Sequence, residues 1–224
     1  MHALADGLAA LDRARYGGSD ERPVRLLHIA GADTAVLFTR VLPLSKTAHS
    51  PSCGMNLTLP TLFAPQVRWT RRGSRIAVAT GAAYVAEFYE GGRLVRSIRR
   101  PIEPRPITAS DARSVLRDQA TGGPLAPCNI SAADRIEKHG YAPELQIVRA
   151  VALAPDGSLW VRRSGGLDGS PGPIDVFDAT GDYTGSLPPE TPSPLVFLPG
   201  DRIGFAERDE VDVERLVIAP VVRP

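Results

Sequence analysis

Lysine is nearly absent from this sequence. Of its 26 basic residues only Lys46 and Lys138 are lysines, and the arginines spread over every segment. Basic and acidic residues almost cancel, leaving a formal charge of +1. No net field draws such a chain to nucleic acid or anionic lipid. Cysteine is equally scarce. Cys53 and Cys128 each lie in a connection rich in proline and glycine, "HSPSCGMN" and "GGPLAPCN". One disulfide and two free thiols both remain open, because separation in sequence says nothing about distance. Without a paired C-x-x-C, a thiol-rich zinc site is excluded. No run approaches the ~20 apolar residues of a membrane span. The start, "MHALADGLAALDRARYGG", lacks the basic stretch and pure apolar core of a signal peptide and reads as the interior of a fold. Nucleophile elbows, Walker loops and dinucleotide fingerprints are also missing.

Glycine and proline, by contrast, are plentiful at 21 each, scattered between short apolar runs. A hydrophobic content of 43% is enough to bury a core. This is the composition of a turn-rich chain of short strands. One pattern recurs four times: "LADGLAALDRA" (4–14), "TRRGSRIAVATG" (70–81), "LAPDGSLWVRRSG" (153–165) and "FLPGDRIGFAERD" (197–209). Each has an apolar lead-in, a turn carrying glycine (Gly7, Gly73, Gly157, Gly200) and a strand of period two. That is a β-hairpin. Asp156-Gly157 is then one of four equivalent turns and not a phosphate-binding loop.

A second hairpin follows in the first three units. Its turns are Ala30-Gly31-Ala32-Asp33, Glu90-Gly91-Gly92 and Ala179-Thr180-Gly181-Asp182. Four antiparallel strands over roughly 40 residues are typical of a propeller blade. The expected architecture is an all-β single domain over 1–224 with about 3.5–4 such blades, at 1–44, 63–101, 147–189 and 193–222. The last has three strands. Residues 44–62 read as a polar loop, and 102–146 as an insertion. Within it, 107–120 reads as a helix capped by Thr108 or Ser110, and 131–138 as a short helix capped by Ser131.

The order "IAVATGAAYVAEFYEGGRLVRSIRRPIEPRPIT", a helical insertion, "VALAPDGSLWVRR", "IDVFDATGDYTGSL" and "DEVDVERLVIAPV" resembles bacterial six-bladed β-propellers of the NHL-like and TolB-like kind. The likeness spans 63–222 and is weaker over 1–44. It implies an extracytoplasmic scaffold that binds a protein, peptide or glycan on its rim, and carries no catalytic residues to transfer. The alternative it implies is a lactonase- or lyase-type enzyme with a divalent metal in the central channel. Four units fall short of six blades. The chain is therefore read as the C-terminal part of a longer propeller, against a four-bladed ring or a half-ring that dimerises. Open sheets at the ends of an arc favour self-association.

No residue is assigned a catalytic, cofactor-binding or metal-binding role, and no cofactor is expected. Arg68, Arg71, Arg72, Arg75, Arg93, Arg96, Arg99 and Arg100 form the strongest charge cluster, but Glu87, Glu90 and Glu103 interleave with it. Cross-strand ion pairing explains such a pattern. The acidic runs "ERDEVDVE" (207–214) and "DVFDATGDYTG" (175–185) miss the calcium-loop spacing. His2, His28, His49 and His139 lie too far apart in sequence for a zinc-ligand motif. "SGGLDGSPG" (164–172) lacks the lysine and following helix of a phosphate cradle and reads as a mobile hairpin loop. Trp69 and Trp160, at comparable places in successive units, are expected to pack between blades.

Overall fold

A computed structural model describes residues 2–4, 7–13, 22–30, 33–42, 45–50, 54–119, 130–208, 213–221 and 223–224. Strands dominate. Three four-stranded antiparallel meanders fall on the first three repeated segments. They are β1–β4 (His2–Leu4, Gly7–Arg13, Arg22–Ala30, Asp33–Leu42), β7–β10 (Arg68–Arg72, Arg75–Ala79, Val85–Glu90, Arg93–Arg99) and β11–β14 (Val148–Leu153, Leu159–Ser164, Pro171–Phe177, Tyr183–Leu187). The last repeat is a three-stranded meander, β15–β17 (Val196–Leu198, Arg202–Arg208, Glu214–Pro220). The strands are all-β in class, and the two helices, α1 (Ala109–Gln119) and α2 (Ala132–His139), lie inside the expected insertion.

The polar loop expected at 44–62 is instead a hairpin, β5 (Ser45–Ser50) with β6 (Met55–Pro60). Ser45 and Ser50, the two ends of β5, are buried on opposite faces of the strand, and the residues between them are polar or small. A strand without apolar alternation is hidden from a hydrophobicity pattern.

The turns follow the repeat. Gly157 has φ +86°, a left-handed value that an L side chain resists. A Cβ there would also lie 3.1 Å from the Ala179 Cβ. Gly73 and Gly200 hold the same turn position at φ +56° and +74°. Gly7 opens β2 opposite Leu4, and residues 5–6 of that turn lie outside the described residues.

Contacts cluster into two compact units: Met1–Val67 with Thr80–Ala82 and Ile102–Gln146, and Arg68–Ala79 with Ala83–Pro101 and Ile147–Pro224. In the second unit three sheets pack face to face, with β11–β14 in the middle. Residue parity sorts its two faces. Leu159, Val161, Asp175 and Phe177 look toward β7–β10, where the Tyr84 ring lies 6.2 Å from Phe177. Trp160, Arg162, Ile174 and Val176 look toward β15–β17, where Phe197 meets Trp160 edge-on at 5.5 Å. Both faces are buried, so the strand reads as a nearly continuous apolar run.

Each face also holds one buried charge. Asp175, fully buried, meets Arg100 Nη1 at 2.8 Å and Arg163 Nε at 3.4 Å, and accepts a hydrogen bond from the Ser186 hydroxyl. The two arginine contacts are ion pairs without hydrogen-bond alignment. The Arg100 guanidinium also lies 4.1 Å from the Tyr183 ring centre, a cation–π distance. Burial, then the Asp175 carboxylate, push the Tyr84 phenol well above its ordinary pKa. On the opposite face Arg162, 3% exposed, donates to the carbonyls of Gly172, Pro189 and Thr191 and to the Ser193 hydroxyl. A planar fork of five donors suits such spread acceptors. It ties the 189–193 link onto the middle sheet.

Candidate functional site

The first unit contains a cavity that no sequence motif marks. One wall comes from α2 and the chain that follows it. Ser131 caps α2: its Oγ accepts from the Asp134 N–H at 3.0 Å and donates to the Asp134 carboxylate at 2.6 Å. Lys138 pairs with Asp134 one turn away. At the other end Gly140, at φ +70°, returns its N–H to the Ile136 carbonyl at 3.0 Å. These caps fix where the helix stops, and His139 is its last residue.

The chain then runs extended and is clasped on both sides. Leu62 donates to the Gly140 carbonyl and accepts from Ala142. Ile107 donates to Pro143, and Leu145 to Arg105. Gln146 closes the clasp with its side chain. Its Oε1 accepts from the Gln66 N–H and its Nε2 donates to the Gln66 carbonyl, each at 2.8 Å. Arg135, reaching from α2, donates to the Pro60 carbonyl.

Between these segments lies a cavity of about 360 Å³. That volume is ordinary for a small-molecule site. Pro65, Ala82, Ala142 and Pro143 give it apolar walls; Lys46, Tyr141 and Glu144 add polar groups to the lining. Two buried polar side chains line it. His139 is 2% exposed, and its Nδ1 lies 3.0 Å from the Lys46 carbonyl. A carbonyl only accepts, so Nδ1 carries the proton. Burial, with Arg135, Lys138 and Lys46 nearby, lowers the imidazole pKa and keeps the ring neutral at pH 7. Nε2 is then a bare acceptor with no partner among the described residues. Ser45 is 8% exposed, and its Oγ has no hydrogen-bond partner among the described residues. No hydrogen bond joins Ser45 to His139, so the pair is not a nucleophile held by a base.

Phe63 lies between the lining residues Thr61 and Pro65 but lines a separate, smaller cavity. Phe63 has φ +56°, a left-handed value costing ~1–3 kcal/mol for a bulky residue.

The sequence-level candidates go elsewhere. Within the arginine cluster, Arg75 pairs with Glu90 at 2.8 Å, Arg71 donates to the Gly73 carbonyl, and Arg96 to the Ala179 carbonyl. Arg100 serves Asp175. In the 175–185 run, Asp175 is buried, while Asp178 Oδ1 accepts from Thr180 and Asp182 at the turn. Among the described residues no three His, Cys, Asp or Glu side chains gather as a metal site needs. The tip of the acidic run, residues 209–212, and both cysteines lie outside the described residues, as do the side chains of His2 and His28. His49 is exposed on β5. The 164–172 stretch closes on itself: Gly165 donates to Ser170, and Gly169 to Gly166. Trp160 is buried in the sheet-to-sheet core, whereas Trp69 is half-buried. Asp156 accepts from Ser158 through Oδ1 and from Arg223 through Oδ2. Among the described residues no helix is long and apolar enough to cross a membrane.

Comparison with protein-family models, with curated proteins and with solved structures returns no match.

Proposed function

We propose that this chain is a non-catalytic binding protein built from propeller-type blades, and that the cavity at His139 and Ser45 holds a small molecule. The blade reading rests on the four-stranded meanders and on the face-to-face packing of three successive sheets in the second unit. It is also supported by β15–β17. Its outer face exposes Val196, Leu216 and Ile218, as a blade face does where a neighbour is wanting.

One observation carries the binding reading: Ser45 Oγ, a buried polar atom, lacks a hydrogen-bond partner among the described residues and shares the lining of an apolar-walled cavity with His139, whose Nδ1 is already committed to the Lys46 carbonyl. Buried polar groups in native proteins are satisfied, so such atoms are the anchors a ligand or an ordered water would use.

The test is ligand-observed NMR with compact aromatic compounds, repeated on Ala82→Phe, which fills the cavity from its half-exposed lining. Binding that disappears in Ala82→Phe, with unchanged circular dichroism, supports the reading. Binding that persists unchanged places the ligand elsewhere. A rise of several degrees in melting temperature with calcium or zinc would favour the metal-dependent enzyme instead.

A further inference from the structure

The cavity's polar atoms restrict what fills it. This inference rests on the small-molecule reading of that cavity and specifies the ligand. His139 Nδ1–H is committed to the Lys46 carbonyl. Nε2 therefore presents a lone pair and cannot donate. A carboxylate, sulfonate or phosphate brought against it would set acceptor against acceptor. A ligand O–H or N–H satisfies it. Ser45 Oγ both donates and accepts, so it tolerates a second oxygen of either kind without selecting one.

The charged lining residues do not favour an anion or a cation. Lys46 and Glu144 both line the cavity, both are exposed, and they carry opposite signs. Full charge on the ligand would meet one unlike and one like partner, both well solvated. Pro65, Ala82, Ala142 and Pro143 supply most of the remaining wall and offer van der Waals contact only, with Thr61, Gly140 and Tyr141 completing it. Only a mostly apolar body gains from these walls.

We infer that the cavity takes a compact, uncharged, mostly apolar molecule carrying a hydroxyl, such as a phenol or small ring alcohol, whose O–H donates to His139 Nε2. A volume of about 360 Å³ admits a fused bicyclic ring with room for substituents. Nε2, which accepts and cannot donate, sets the discrimination. A site built to hydrogen-bond a hydroxyl rejects analogues that lack it, because the ring nitrogen then loses its water and gains no donor.

The experiment titrates the full chain at pH 7 with 2-naphthol, 2-methoxynaphthalene and 2-naphthoate, read by isothermal calorimetry and by nitrogen NMR of the His139 ring. The expected result is that 2-naphthol binds about tenfold or more tightly than its methyl ether. The Nε2 resonance should shift with naphthol and stay put with the ether. In His139→Phe the preference for naphthol should collapse to about twofold or less. The naphthol–ether comparison needs only the wild-type protein, so it stands even where His139→Phe does not fold. Equal binding of naphthol and its ether overturns the inference and leaves the cavity a binding site for apolar rings. Tighter binding of 2-naphthoate overturns it in favour of an anion held by Lys46. Failure of all three to bind overturns both the inference and the small-molecule reading.

Discussion

Replacing Asp175 by asparagine keeps the side-chain shape and removes one buried charge. Asp175 is fully buried, while Arg100 and Arg163 are about one-quarter exposed at their side chains (25% and 26%). Removing one partner of a buried ion pair costs ~3–5 kcal/mol, since the other charge is stranded. Here the two arginines reach water in part, which recovers some of that cost. The expected loss is therefore near the low end, about 3 kcal/mol. With an m-value of ~2 kcal/mol per molar urea, the unfolding midpoint falls by about 1.5 M. Tryptophan fluorescence is the assay of choice. The only two tryptophans, Trp69 and Trp160, both belong to the second unit, where Asp175 lies. A double-mutant cycle with Arg100→Met isolates the pair and should give a coupling of ~1 kcal/mol or more. A loss below ~1 kcal/mol for Asp175→Asn, or a coupling near zero, would refute the view that this carboxylate holds the two sheets through Arg100.

Arg162→Lys retains the charge but not the fork, and should cost ~2 kcal/mol by the same fluorescence assay; wild-type stability would show that the spread of acceptors is not what the fork serves. Burial would raise the Asp156 carboxyl, yet the Ser158 hydroxyl and N–H and the Arg223 guanidinium together hold it lowered to about 2. Its contribution is complete above the ordinary carboxylate range and fades as pH falls toward 2. The melting-temperature gap between wild type and Asp156→Asn should therefore be small but measurable at pH 6, since both partners are substantially exposed, and should close near pH 2. A gap that stays constant would disconnect it from this carboxylate. His139 titrates in the opposite sense to a paired histidine. Its lowered pKa, set by burial and then by the surrounding Arg135, Lys138 and Lys46, means the unfolded chain takes up the proton first. The first unit should lose stability as pH falls below the ordinary imidazole range, by at most ~1.4 kcal/mol per pH unit. Helical circular dichroism follows it, because both helices lie in that unit. His139→Gln should flatten the profile, and an unchanged slope in that variant would point to another group.

What the sequence discloses and what it conceals divide along range. Turns and caps are local. Gly73, Gly157 and Gly200 sit where a tight hairpin demands positive φ, and Thr108 and Ser131 stand beside the helices they cap. Four strands in order around such turns could be read without a structure. The β5–β6 hairpin escaped because β5 is polar or small throughout and shows no apolar alternation. Asp175 was grouped with Asp178 and Asp182 by proximity along the chain. The pleat separates them, burying the first and leaving the others at a turn. The cavity was invisible for a stronger reason. Its walls come from residues 45–46, 61, 65, 82 and 139–144, and nothing in any one segment announces the others. A histidine before a helix-terminating glycine is unremarkable until the Lys46 carbonyl fixes its tautomer.

Arg162 has a consequence for how this chain can change. Its guanidinium grips main-chain oxygens of Gly172, Pro189 and Thr191, with Ser193 the one side chain involved. The grip recognises the route of the backbone and ignores most of the letters written along it. Glu190 and Pro192 can therefore drift in identity while the sheets on either side remain joined. A link that is indifferent to its own side chains is a place where new surface chemistry can be tried without reopening the fold.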